Sequence, residues 1–152
     1  MKNTFAFIAL IAAIFSFNSC EKNGNTNIRE IGYGTSFGMC VGYCVNDIAV
    51  SVNEVKFSKR KHETNSDIKT CTKKMTEEEL NELKKLVNQH DFEKLPEVIG
   101  CPDCADGGAE WVALKIDGKI KKVTFEYGNA PSTLKKLVAK LKEIKESFKD
   151  CN

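Results

Sequence analysis

Ile48-Ala49-Val50-Ser51-Val52-Asn53-Glu54-Val55-Lys56-Phe57-Ser58-Lys59 is the stretch on which the fold turns. Ile48, Val50 and Val52 alternate with small residues, and after Asn53-Glu54 the alternation resumes at Val55, Phe57 and Lys59. A period of two places every second side chain on one face of an extended chain, so the stretch predicts a half-buried β-hairpin. With Asn53-Glu54 as a two-residue turn, Val52 stands opposite Val55 and Val50 opposite Phe57, and both apolar sets share one face.

Residues 60–67 (RKHETNSD) then read as a polar loop, and Ile68 to Lys73 as a short edge strand. A helix follows with clear punctuation. Thr76 and Glu79 have the spacing of a capping box, which satisfies backbone donors left over at a helix start, and Met75 and Leu80 close a hydrophobic staple around it. Leu80, Leu83, Leu86 and Val87 recur at helical spacing, which predicts one helix running to about Gln89. Pro96 and Gly100 mark a break.

The second half repeats the order. Val112, Leu114 and Ile116, then Asp117-Gly118, then Val123, Phe125 and Tyr127 form a second hairpin, since Asp-Gly suits a turn whose two central residues take positive φ. Pro131 suits the first turn of a further helix. Leu134, Leu137, Val138, Leu141, Ile144, Phe148 and Cys151 give that segment a continuous apolar face. The expectation is an α+β fold: an antiparallel sheet of four to five strands built from two hairpins, each followed by a helix, with both helices on one face.

The N-terminal residues carry an address. Lys2 supplies positive charge, and Phe5 to Phe15 (FAFIALIAAIF) is an apolar stretch of 11 residues, ending at Ser16. Spanning a bilayer takes roughly 20 apolar residues, so this is signal-peptide length. Phe17-Asn18-Ser19-Cys20 resembles a lipobox, in which the cysteine thiol accepts a diacylglycerol and becomes the new N-terminus on cleavage. The expected organisation is a signal peptide over 1–19, lipidation at Cys20, a flexible tether over 20–29 that is rich in polar residues, and a single domain over 30–152. A domain of this size, about 130 residues, can bury roughly two-thirds of its unfolded surface in one core.

A formal net charge of +2 with 29% charged residues exerts no strong pull on nucleic acid. The lysines of the last helix, interrupted by Glu143 and Glu146, read as a solvated face. Beside Cys20 the chain has six cysteines: Cys40, Cys44, Cys71, Cys101, Cys104 and Cys151. An even set in an oxidising compartment implies disulfides, for which six cysteines allow fifteen connectivities.

Phe37-Gly38-Met39-Cys40-Val41-Gly42-Tyr43-Cys44, followed by the alternating strand through Phe57, resembles the opening of an uncharacterised domain family of exported bacterial proteins, many of them Bacteroidetes lipoproteins. The capped helix, the hairpin at Asp117-Gly118 and the helix start at Ala130-Pro131 are similar in order, so the resemblance covers about residues 30 to 148. Val45 stands where that motif usually has proline. The resemblance implies a fold and an exported address, and brings no activity. It also implies a Cys40–Cys44 bridge, since the Cys-x-Gly-x-Cys element often stands there without other cysteines. Proline and glycine beside Cys101 and Cys104 favour their pairing, which leaves Cys71 with Cys151.

Several chemistries are conceivable for these residues. Cys101-Pro102-Asp103-Cys104 has the spacing of thiol oxidoreductases, where a helix N-terminus stabilises the thiolate. Here Ala105 to Gly108 reads as a turn and Glu110 to Ile116 as a strand, so a structural disulfide is expected. Cys40, Cys44, Cys101 and Cys104 have the composition of a four-thiolate zinc site. In an oxidising envelope such pairs form disulfides, so no metal and no cofactor are expected. His62, in a polar loop, and His90, near a helix end, have no neighbouring nucleophile in sequence, which leaves no catalytic residue to nominate. Gly32 to Gly38 lacks the Lys-Ser/Thr ending of a phosphate loop and precedes no helix, so it reads as a loop or irregular strand. Trp111 lies on the strand face opposite Val112 and Leu114, either exposed as an anchor for a partner or covered by the nearby cysteine loop. The functional expectation is a lipid-anchored envelope protein, not an enzyme, which binds an unknown protein, peptide or envelope ligand and no nucleic acid. The rival is an envelope thiol-redox or zinc protein using the Cys101 to Cys104 loop.

Overall fold

The computed structural model describes residues 27–61 and 67–151 of the 152. The signal segment, Cys20, His62 and most of the expected tether lie outside the described residues. One mixed sheet contains seven strands: β1 (Ile28–Ser36), β2 (Val45–Ser51), β3 (Asn53–Arg60), β4 (Ile68–Met75), β5 (Val98–Ile99), β6 (Ala109–Ile116) and β7 (Lys119–Glu126). Their spatial order is β4-β3-β2-β1-β6-β7-β5, antiparallel except that β5 runs parallel to β7. Three α-helices accompany it: α1 (Glu77–Lys85), α2 (Gln89–Lys94) and α3 (Lys135–Glu146).

This architecture overturns the expected four-to-five-stranded antiparallel sheet with two helices, and each departure has a local cause. β1 is the largest. Gly32 and Gly34 strip one face of side chains, so the alternation of Ile31, Tyr33 and Thr35 reads only as a loop or irregular strand. In the folded chain this strand is central, pairing Tyr33 with Ile48 of β2 and with Val112 of β6. Gly34 is required there, because a Cβ would fall inside the Trp111 indole that lies across it. β1 opens at Ile28, so Ile28 and Arg29 of the expected tether belong to the sheet. β5, the sole parallel partner, is two residues long and leaves no periodicity to read.

The first hairpin is displaced by two residues. Val50 pairs with Val55 and Ile48 with Phe57, so the turn falls at Val52-Asn53 rather than Asn53-Glu54. Asn53 takes φ 76°, the left-handed conformation that asparagine tolerates, and Val52 is left 47% exposed. A shift of two keeps each side chain on its face, so Ile48, Val50, Val55 and Phe57 are buried while Val52 moves to the turn. The second hairpin turns where the sequence places it. Asp117 and Gly118 take φ 49° and 80°, and Ile116 pairs with Lys119.

The predicted capping box is present. The Thr76 side chain accepts from the Glu79 N–H at 3.2 Å, and Glu79 Oε2 accepts from the Thr76 N–H at 2.8 Å. α1 nevertheless ends at Lys85 rather than continuing to Gln89. The Leu86 and Val87 amides turn back to Leu83 and Lys84, and Asn88 caps α2 by accepting from the Asp91 N–H. The apolar stripe runs across this break because Val87 and Phe92 remain buried. Buried side chains from all three helices join those of one sheet face in a single core, including Tyr33, Val112, Phe125, Leu80, Phe92 and Leu137.

Candidate functional site

The six cysteines stand in three pairs at disulfide distance. Cα atoms are 5.6 Å apart for Cys40 and Cys44, 5.5 Å for Cys101 and Cys104, and 6.0 Å for Cys71 and Cys151. These values lie within the span a disulfide permits. The two short loops sit side by side at one end of the sheet, joined by Asp103. Its Oδ1 accepts from the Gly38 N–H at 3.2 Å and from the Gly108 N–H at 3.1 Å. The Glu126 carboxylate accepts from the Cys101 N–H at 3.0 Å, which with the Asn129 amide holds its pKa below the ordinary value. Only a single 3-10 turn, Cys104–Asp106, follows the Cys-x-x-Cys element, so no α-helix points its dipole at either sulfur. Among the described residues no group of three or more His, Cys, Asp or Glu side chains is placed to hold a metal.

The other singled-out residues separate. His90 is in the short helix α2, and Gly32 to Ser36 lie within β1. The Trp111 indole is sandwiched between Gly34 and the Lys122 ammonium, which stands 4.2 Å from the ring centroid. Burial, followed by the nearby Arg60 charge, holds Lys122 below the ordinary lysine range.

A buried polar cluster was not legible from the sequence. Glu110 is 1% exposed on the core side of β6. Its Oε1 accepts from the Tyr33 hydroxyl at 2.7 Å, and its Oε2 accepts from the Gly128 N–H at 3.0 Å. Lys142 lies 3.9 Å from Glu110, and Lys145 donates to the Thr35 hydroxyl at 3.0 Å. Two lysines of the expected solvated face thus turn inward. Burial pushes the Tyr33 hydroxyl well above its ordinary pKa, with the Glu110 hydrogen bond acting in the same direction, and burial lowers that of Lys145. The cluster fastens α3 and the segment before it to the centre of the sheet.

Among the described residues, a groove of about 500 Å³ lies open where β4, α1 and α3 meet. Met75, Leu83, Leu86 and Ile144 give it an apolar floor, with Glu79, Glu82 and Lys140 at its rim. A smaller hollow of about 280 Å³ shares Met75, Glu79, Lys140 and Ile144 and extends the depression toward Lys73, Lys74 and Phe148. The rim charges are partly matched within the chain: Lys85 pairs with Glu82 at 2.7 Å and Lys140 with Glu143 at 2.8 Å. Leu86 and Ile144 lie at the margins of their helical stripes, half-buried rather than packed inside. That marginal position is the signal a sequence reading passes over, because periodicity assigns both to the core.

No protein-family model matches the chain, and no curated protein matches it. Among the described residues no helix is long and apolar enough to cross a membrane.

Proposed function

We propose that this chain is a lipid-tethered protein of the bacterial cell envelope that works by binding rather than catalysis, holding a protein, peptide or envelope component in the groove between β4, α1 and α3. The groove carries the reading. It exposes an apolar floor beside matched charges, the combination that lets a ligand bury apolar surface while polar groups set its orientation. Cysteine pairing weighs against zinc, which requires thiolates that a disulfide does not offer, and the lack of an α-helix N-terminus at Cys101 to Cys104 weighs against the thiol-redox alternative. The apolar stretch ending before Cys20 supports the address, as does the resemblance to exported lipoproteins. The tethered end enters β1 at Ile28, beside the Asp117-Gly118 turn, while the two short disulfide loops sit at the opposite end of that strand.

Two measurements test the proposal. Labelling with an alkyne fatty acid should tag the wild-type chain and not Cys20→Ala, and label retained by the variant would remove the anchor. A photo-crosslinking residue at Leu86 should give a discrete adduct in intact cells, while one at Ser58, on the other sheet face, should not. Equal yields from the two positions would refute the groove. Free thiols and zinc in the purified chain should both be near zero, and two reactive thiols or stoichiometric zinc would restore the rival chemistry.

A further inference from the structure

We infer that β4 is a docking edge for an extended acidic polypeptide, added to the sheet as an outer strand; the inference names a partner class for the binding role proposed above and rests on it. β4 is eight residues long and stands last in the sheet order, and no strand lies beyond it among the described residues. Its outer row of backbone N–H and C=O groups is what strand addition uses for affinity. The opposite edge, β5, has two residues and offers no comparable template.

Charge selects the partner. The described residues of the β3–β4 hairpin, 53–61 and 67–75, carry seven lysine or arginine side chains against Glu54 and Asp67, whereas the whole chain is only +2. The remainder is therefore net negative, and the positive charge is concentrated at this edge. β4 itself holds Lys69, Lys73 and Lys74 and no acidic residue. Lysines occur on both faces of the strand, since Lys69 and Lys73 share the side of core-facing Cys71 while Lys74 lies on the other. Asp67 is already engaged by Lys61 at 2.8 Å and by the Tyr43 hydroxyl at 3.1 Å, so it does little to offset them.

Lysines on an edge strand discourage pairing with a second copy, because like charges placed opposite one another are destabilising. An acidic strand reverses the sign of the same contacts. At its Met75 end β4 also borders the groove, whose rim bears Glu79 and Glu82, while the rim Lys140 is paired with Glu143. The acidic complement is therefore confined to the strand, and a side chain entering the groove is apolar.

The test uses the full mature chain in detergent and a peptide of alternating Glu and Val about as long as β4. The peptide should bind with an affinity that falls as salt rises, and binding should slow hydrogen exchange at β4 amides. The same peptide with alternate backbone amides N-methylated keeps its charge and loses the strand ladder, and it should not bind. Lys69→Glu combined with Lys74→Glu should weaken binding about tenfold or more, while Lys119→Glu, in the turn region of the other hairpin, should not. Absence of peptide binding overturns the inference, and a surviving Leu86 adduct would then leave the groove reading intact. Equal binding of the N-methylated peptide, or of polyphosphate matched in charge, also overturns it by showing a general polyanion surface. The peptide comparison uses the wild-type chain, so it stands even if the lysine variants fold poorly.

Discussion

Replacing both Cys71 and Cys151 with alanine should cost far more stability than removing either short bridge. The pair spans a sequence separation of 80 residues, against 4 for Cys40–Cys44 and 3 for Cys101–Cys104. If a cross-link acts mainly by restricting the unfolded chain, the long loop contributes about 4.5 kcal/mol and the short ones about 2 and 1.6 kcal/mol before any native strain. The folded structure reinforces this ordering. Cys151 is buried, the neighbouring Phe148 ring stacks on Phe57 with centroids 5.4 Å apart, and the Lys73 ammonium bonds the Ser147 carbonyl oxygen. Releasing Cys151 therefore also loosens the packing of the C-terminal turn on β3 and β4. Urea denaturation of the oxidised wild type and of three double variants, one for each pair, measures the differences directly. A Cys71/Cys151 variant within about 1 kcal/mol of wild type, or less affected than the Cys40/Cys44 variant, would refute the loop-entropy reasoning.

Leu137 and Leu141 are fully buried in α3, so Leu137→Ala or Leu141→Ala should each cost about 2 to 5 kcal/mol in the same assay, and a loss below about 0.5 kcal/mol at both would remove α3 from the core. Glu126 has a folded-state pKa lowered below the ordinary 4.5 by the Cys101 N–H and the Asn129 amide. Its stabilisation is present above that ordinary value and is lost as pH falls through the folded one, so wild type should lose more stability on acidification than Glu126→Gln; parallel pH profiles would contradict this. Gly34→Val forces a side chain into the Trp111 indole and should lower the melting temperature more than Gly118→Asn, which retains a turn-compatible residue in open space. Similar melting temperatures for the two would mean that the indole moves aside freely.

What was legible depended on local chemistry. Thr76 with Glu79 announced a helix start, and Asp117-Gly118 announced a turn, because each acts through hydrogen bonds or dihedrals within a few residues. The same local view went wrong at Val52-Asn53, where two turn placements kept the identical buried face and only pairing chose between them. It went wrong again at Asn88, whose capping of α2 was hidden inside an apolar stripe that continued through Val87 to Phe92. The cysteine pairing followed from counting and from the resemblance, and the folded chain brings those same pairs to disulfide distance.

By itself the sequence determined the apolar faces of the two hairpins, the capped start of α1 and the apolar face of α3, since period and turn chemistry are properties of neighbouring residues. Tertiary structure decided that the glycine-rich segment from Ile28 to Ser36 is the central strand, because Gly32 and Gly34 make sense only when Ala113 and Trp111 lie across them. It also decided that Glu110 is buried among Tyr33, Gly128 and Lys142, and that Leu86 and Ile144 border a groove instead of filling the core. Those placements arise from contacts between residues far apart in the chain, and periodicity records only which face a side chain occupies, never what stands opposite it.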